Sequence, residues 1–524
     1  MQVKPLRLSE LSVEQKIGQM ILARNPIDEE SFEFTLELVK NRALGGIHPI
    51  HKRSGPGYYI KDELELVRAV KEAADYPILI CEDMENGYQR GTDLPYQLAV
   101  GSTDDEELAY LYGHIAASEA KRDGYNLVFG PIVDIAENPQ SSCVGVRSFG
   151  GDREIVARMS AAVIKGYQDC GLIVTAKHFP GFGPSAVDSH IGMVELEGDE
   201  KNLLENGIYP YTYCMENADL SGIMMGHIMC SKIDPEYPAS VSPTIIGLLR
   251  KIGFEGLIMT DSFAMVGMRT RYSLRECFQL AMQAGNDMVM GSYRDSVKQQ
   301  YEIMLDAYHK GLVSEAIIDM AVSRVIRAQN RTLITEVPTS SKAHEEIADE
   351  IGRKSICVQL SGAAFPAVDT KARHLFVVQE GNLFMNPRTG TLEQDKQDMT
   401  VFENTVRERF VSAELLYVPE FPAKPQIDQI MERSLEHDSI VFVLSNKSVS
   451  YTGSSDATKR MLAVMDGLRP KISAVVLFGN PYAAREFGTI PRLIFGHDGN
   501  CCQHYAALTL AGEHEATGKL PVSW

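Results

Sequence analysis

The amino-acid sequence predicts an α/β chain in two parts, a (β/α)8-type TIM barrel followed by a parallel α/β sandwich domain. Three observations carry this expectation. Over residues 1–335, short apolar runs alternate with amphipathic helical stretches, the pattern of repeated βα units. At Glu336–Lys342 (EVPTSSK) the pattern breaks into a Pro/Ser/Thr stretch that reads as a linker. Beyond it a second series of apolar runs begins, again separated by helical segments. With 524 residues the chain has ample length for two or three domains.

In the first part, strands are expected at Tyr76–Cys81 (YPILIC), Leu127–Pro131 (LVFGP), Leu172–Lys177 (LIVTAK), Gly222–His227 (GIMMGH), Leu257–Asp261 (LIMTD) and Asp287–Met290 (DMVM). Helical patterns lie between them, as at Lys61–Ala74 and Asp152–Asp169. Ser12 with Gln15 and Ser273 with Glu276 have capping-box spacing, in which each side chain satisfies a backbone donor of the other. At least six strand–helix repeats suit a closed barrel better than an open doubly wound sheet, the competing arrangement. In the second part, strands are expected at His374–Val378, Leu415–Val418, Ser439–Leu444, Ser473–Leu477 and Arg492–Phe495. The resulting division is a barrel at 1–335, a linker and helix at 336–355, and a sandwich at 356–524.

Hydrophobic residues make up 44% and charged residues 23%, a globular balance that argues against long disorder. The net charge of −19 weighs against a nucleic-acid partner, which calls for a basic face, and against an anionic membrane surface. Neutral or cationic small ligands stay open. The nine cysteines are scattered with no C-x-x-C or Cys/His ligand spacing, so no metal site is expected. The second part has no G-x-G-x-x-G or P-loop, and no cofactor is expected. Scattered thiols and an N-terminus without an apolar core suggest a soluble cytoplasmic protein. The sequence carries no signal for oligomeric state.

Ionisable residues gather at the C-terminal ends of the expected barrel strands, the face on which such barrels hold substrates. One strand runs into Glu82, Asp83, Glu85 and Arg90, another into Lys177 and His178, and others into His227 and Asp261. A lone charge at a strand end is more often a cap or a solvated side chain. Four such ends on one face shift the balance toward a site. The segment Lys177–His190 (KHFPGFGPSAVDSH) is too rich in Gly and Pro for a regular helix. In an extended loop, Asp188 and His190 point to the same side. The carboxylate can then fix one imidazole nitrogen and leave the other for acid/base work, or the loop can be merely structural. Asp261, where an apolar strand meets a turn, can be a nucleophile, a metal ligand or a helix cap, and spacing does not choose.

On these residues the chain resembles the family 3 glycoside hydrolases, specifically their β-N-acetylhexosaminidase branch. The similar segments run in family order: LSVEQKIGQM, EDMENGYQR, NLVFGPIVDIAENP, VGVRSFGGD, AKHFPGFGPSAVDSH, MMGHIMCSKIDPEYPASVSP, GFEGLIMTDSFAM, AGNDMVM and the terminal GKLPVSW. The resemblance implies a retaining, two-displacement mechanism on a small-molecule or oligosaccharide substrate. Asp261 matches the nucleophile, His190 the general acid/base and Asp188 its partner. Asp83 matches the acid that grips sugar hydroxyls, while Arg90, Arg147, Lys177 and His178 match the polar ring around the terminal sugar. The expected reaction is release of terminal β-N-acetylglucosamine from cell-wall or chitin-type oligosaccharides. Competing expectations are a phosphorylase using phosphate as acceptor, an exo-β-glucosidase, and a sugar-binding protein without catalysis. The chain departs from the family where Phe182 stands in PGFG in place of an expected histidine, and at Asn86, where a glycine is expected. Both changes border the sugar pocket.

Overall fold

A computed structural model of the chain describes residues 3–50, 59–60, 62–292, 295–333, 342–361, 368–385, 390–447 and 456–524. Nearly all of the expected linker at 336–342 lies outside these residues. Two compact units result. The first gathers Met1–Gly91, Ala109–Asp134 and Ser160–Ser340, and the second Thr92–Leu108, Ile135–Met159 and Ser341–Trp524.

The first unit is built on parallel strands β1 (Ile21–Arg24), β2 (Gly46–His48), β3 (Leu79–Asp83), β4 (Leu127–Phe129), β5 (Ile173–Val174), β6 (Ala176–Phe179), β8 (Gly222–Met225), β10 (Leu257–Thr260) and β11 (Val289–Met290). A short parallel pair, β7 (Val194–Glu195) with β9 (Ile228–Met229), stands beside them. One sheet runs β11-β1-β2-β3-β4-β5 and the other β10-β8-β6. The chain passes from β5 into β6 through Thr175, whose N–H and hydroxyl both donate to the Val128 carbonyl. A Met259–Met288 bridge joins β10 to β11. The ring therefore closes as a barrel.

Alternate residues of these strands share one face, and Leu22, Leu79, Cys81, Leu127, Phe129, Ile173, Met224, Leu257, Met259, Met288 and Met290 form its core. Four of the eleven are methionines, whose flexible side chains fill irregular space. The strands at Ile21–Arg24 and Gly46–His48 join the six read from sequence. Three or four apolar residues beside a helix give too little pattern to recognise. Both expected capping boxes are formed, Ser12 with Gln15 and Ser273 with Glu276.

The second unit has a central sheet of β12 (Cys357–Leu360), β13 (Arg373–Gln379), β16 (Ser412–Val418), β17 (Ser439–Asn446), β18 (Ile472–Gly479) and β19 (Arg492–His497). Its order is β12-β19-β18-β17-β13-β16, parallel except for β12 at one edge. Apolar clusters cover both faces, one centred on Phe442 and Leu477 and the other on Phe376 and Phe478. That explains why these strands read as continuous apolar runs. An antiparallel hairpin, β14 (Gly381–Met385) with β15 (Leu392–Lys396), follows β13; its second strand, LEQDK, is too polar to announce the pairing. Among the described residues, no helix is long and apolar enough to cross a membrane.

Candidate active site

The barrel strands deliver their polar residues to one mouth, the C-terminal one. β3 ends on Asp83, and β6 carries Lys177 and His178 beside it. Lys177 Nζ donates to Asp83 Oδ1 at 2.7 Å and lies 2.9 Å from Glu85 Oε1. The lysine side chain is only 4% exposed, whereas Asp83 keeps 44% of its side chain accessible in the concave mouth. Its surroundings push the Asp83 carboxyl up by desolvation, but Lys177 and His48 outweigh this and hold it below the ordinary aspartate range.

His48, at the end of β2, enters this network through its outer nitrogen. Arg24 Nη1 lies 2.6 Å from His48 Nδ1. A guanidinium has no lone pair to offer, so Nδ1 must accept and Nε2 carries the proton. That Nε2 faces Asp83 Oδ2 at 3.6 Å, too long for a hydrogen bond but close enough for its N–H dipole to bear on the carboxylate. Burial first, then Arg24, pushes the His48 pKa down to about 3, so the ring stays neutral.

Asp261 follows β10 directly. The Ser262 N–H donates to its Oδ1 at 2.6 Å, and His178 Nε2 lies 3.9 Å from its Oδ2. Burial pushes the Asp261 carboxyl up, but His178, His227, the Ser262 N–H and His190 together hold it below its ordinary range. An ionised carboxylate kept in a buried pocket suits attack on an electron-poor carbon. His178 is fixed in turn by Asp134, which accepts from its Nδ1 at 2.8 Å.

The strand read as ending at Lys177 continues to Phe179, and the Gly/Pro-rich loop leaves from there. Within the loop, Asp188 Oδ1 accepts both the His190 backbone N–H at 2.9 Å and His190 Nδ1 at 2.7 Å. The Asp188 side chain is fully buried, and His190 keeps 19% exposure. Holding Nδ1 turns Nε2 away from the carboxylate as the working nitrogen. The loop is seated against the turn after Asp261. Ser189 Oγ donates to Met265 Sδ at 3.7 Å, and a Cβ at Gly267 would lie 2.5 Å from the Gly192 carbonyl. The exit of the loop is pinned by the β7–β9 pair and by the Leu196 N–H on the Met229 carbonyl at 2.8 Å. His190 is thereby close enough for its charge to act on both Asp261 and His227.

Of the eight residues singled out by sequence, the structure brings Asp83, Lys177, His178, Asp261, Asp188 and His190 to this mouth. Arg90 turns elsewhere, with Nε on Glu63 at 2.5 Å and Nη2 on Asp62 at 2.9 Å. Arg147 belongs to the second unit, in a 3-10 turn at Gly145–Arg147, where Nη1 donates to the Cys143 carbonyl at 2.6 Å. His227 has both ring nitrogens engaged, by Ser240 Oγ at 2.8 Å and the Ser262 carbonyl at 2.9 Å. Sequence reasoning passed over Arg24, His48 and Asp134. Arg24 meets His48 across 24 positions of chain and Asp134 meets His178 across 44, through adjacency in the fold that no local motif encodes.

Comparisons with known proteins bear on the family and the fold. Residues 12–328 match the family model described as the glycosyl hydrolase family 3 N-terminal domain. A protein from Nitrosomonas eutropha named Beta-hexosaminidase is 30% identical over 238 residues, covering 43% of this chain and 68% of its own length. The structure of a glycoside hydrolase family 3 beta-N-acetylglucosaminidase from Paenibacillus sp. FPU-7 superposes with a TM-score of 0.83 at 24% identity, covering 98% of this chain and 99% of that one. A structure of beta-glucoside phosphorylase BglX superposes with a TM-score of 0.80 at 23% identity, covering 98% and 94%. The latter two likenesses establish the α/β barrel and sandwich fold.

Proposed function

The chain belongs to glycosyl hydrolase family 3 and is a glycoside hydrolase, and from that premise we propose a retaining, exo-acting β-N-acetylglucosaminidase. The observation that carries the mechanism is the pairing of a buried, ionised Asp261 with an imidazole held at 2.7 Å by Asp188. An Asp261 oxygen attacks the anomeric carbon as the bond to the leaving oxygen breaks. His190 Nε2 gives its proton to that oxygen, and a covalent glycosyl-enzyme results. In the second step water attacks the same carbon, returns a proton to His190 and releases Asp261. Asp188 stabilises the imidazolium whenever it forms. Asp83, Lys177 and His178 hold the terminal sugar by charge-assisted hydrogen bonds.

The preference for a 2-acetamido sugar is supported by the Asp188–Ser189–His190 motif and by relatives named Beta-hexosaminidase. The nine cysteines are all free thiols, which supports a reducing compartment and a role on cell-wall fragments taken into the cell. A phosphorylase is the second reading. Its support is the imidazole acid/base, which carries no negative charge to repel phosphate, and the fold shared with a beta-glucoside phosphorylase.

One panel tests both. Aryl β-glycosides with and without the acetamido group are assayed with and without phosphate, on wild type and His190→Ala. The expected result is turnover confined to the acetamido sugar, indifferent to phosphate and reduced roughly 100-fold or more by His190→Ala. Strong phosphate stimulation yielding sugar 1-phosphate would replace hydrolysis by phosphorolysis, and faster turnover of the plain glucoside would overturn the acetamido preference.

A further inference from the structure

Asp134 lies five residues beyond β4, fully buried, and has no part in the mechanism above. Its carboxylate gathers donors from one short stretch of chain. His178 Nδ1 donates to Oδ2 at 2.8 Å, the His178 backbone N–H lies 3.3 Å from both oxygens, and the Phe182 N–H donates to Oδ1 at 3.0 Å. The Phe182 ring then stands edge-on to the imidazole, with centroids 5.1 Å apart at 81°. The His178 ring is thus held on its outer nitrogen and walled on one side, leaving Nε2 directed to Asp261 Oδ2 at 3.9 Å.

We propose that Asp134 is a positioning residue for the attacking carboxylate: by holding the Nδ1–H of His178, it fixes the ring and keeps its Nε2 edge on Asp261. This rests on the reading of Asp261 as nucleophile. Phe182 sharpens the case, because the family's usual imidazole at that position would offer another polar group beside His178. Phe182 offers none, and its backbone N–H is clipped by the same carboxylate.

The consequence is a pH effect with a definite sign. The groups acting on Asp261 are His178, His227, His190, His48 and the Ser262 N–H, and His178 is the strongest of the favourable ones. Those meeting His178 directly are Asp134, Asp261 and the Phe182 ring. An amide in place of Asp134 removes the negative charge that supports a positive ring at His178, and it cannot hold the Nδ1–H as firmly as a carboxylate does. Less favourable charge then faces Asp261, and the carboxyl loses part of what holds it ionised. Its apparent pKa rises, so the acid limb of the kcat/KM profile moves to higher pH.

The test compares wild type, Asp134→Asn, Asp134→Glu, His178→Gln and Asp261→Asn. Each is assayed across pH with an aryl N-acetylglucosaminide and by the rate of covalent trapping with a 5-fluoro sugar. Asp134→Asn is expected to lower kcat/KM by roughly 10- to 100-fold, to shift the acid limb upward, and to slow trapping most at acid pH. Asp134→Glu is expected to restore part of the loss. If Asp134→Asn does not fold, His178→Gln must show the same upward shift. An unchanged acid limb in whichever of the two variants folds overturns the inference. Full activity in Asp261→Asn would instead overturn the nucleophile reading itself.

Discussion

Lys177 holds two carboxylates at once, Asp83 at 2.7 Å and Glu85 at 2.9 Å, with its side chain almost wholly buried. Replacing it by methionine keeps the volume and removes the charge that both acids face. Hydrogen bonds to charged groups contribute about 1.5–3 kcal/mol, so Lys177→Met should lower kcat/KM roughly 10- to 100-fold, chiefly through KM. The Asp83 carboxyl sits below its ordinary range because of Lys177 and His48. Without the lysine it moves up, and the pH at which activity is lost on acidification moves up with it. Initial rates measured across pH check both effects; a variant with wild-type KM and an unmoved acid limb would refute the role of Lys177. Residues of this kind were legible where a short motif carries them, as with Lys177, His178, Asp188 and His190. Arg24, His48 and Asp134 were not. His48 in IHPIH looks like any half-buried histidine until β1 places a guanidinium on its outer nitrogen.

The loop from Pro180 to Ile191 shows what a sequence says about an element and what it withholds. Two prolines and two glycines announce an irregular segment, and the two-residue spacing of Asp188 and His190 announces their pairing. What aims the pair is a close approach elsewhere. Gly267 lets the backbone after Asp261 pass so near the loop that an added Cβ would sit 2.5 Å from the Gly192 carbonyl and 3.2 Å from that of Ser189. Backbone atoms cannot yield as a flexible side chain does, so Gly267→Ala must move the loop. Displacements of about 1 Å can cost about 100-fold in rate, so kcat should fall roughly 10- to 100-fold while the sugar contacts proposed for Asp83 and Lys177 keep KM near its original value. Steady-state kinetics together with a melting curve separate this from simple unfolding. A normal kcat in a folded Gly267→Ala protein would mean that the loop is not aimed by this contact.

At the scale of the whole molecule, the break in composition at 336–342 suggests that the barrel can be cut free after residue 335. The packing argues otherwise. Residues 92–108 and 135–159 lie early in the chain but belong to the second unit. Ala99 shares a core with Ile356, Phe376 and Phe402. The Asn500 N–H donates to Asp93 Oδ2 at 2.9 Å, the Lys519 N–H to the Ser102 carbonyl at 2.9 Å, and the Gly151 N–H to the Pro521 carbonyl at 2.7 Å. The Lys354 ammonium meets Asp105 at 2.9 Å, and the Tyr482 hydroxyl donates to the Ala136 carbonyl. Such contacts join residues more than two hundred positions apart, so no local pattern could announce them, although the longer apolar strands could be read. A chain ending at residue 335 would keep both early segments and lose every one of these partners, exposing apolar surface and orphaned backbone donors. It would also strand Arg147, which lies in the second of those segments. The expectation is therefore that residues 1–335 alone are poorly soluble and inactive, and that co-expression with residues 342–524 restores a soluble complex and measurable turnover. Size-exclusion chromatography and the aryl glycoside assay decide it. Full activity in the isolated 1–335 chain would show that the catalytic barrel stands without the partners its early segments have in the second unit.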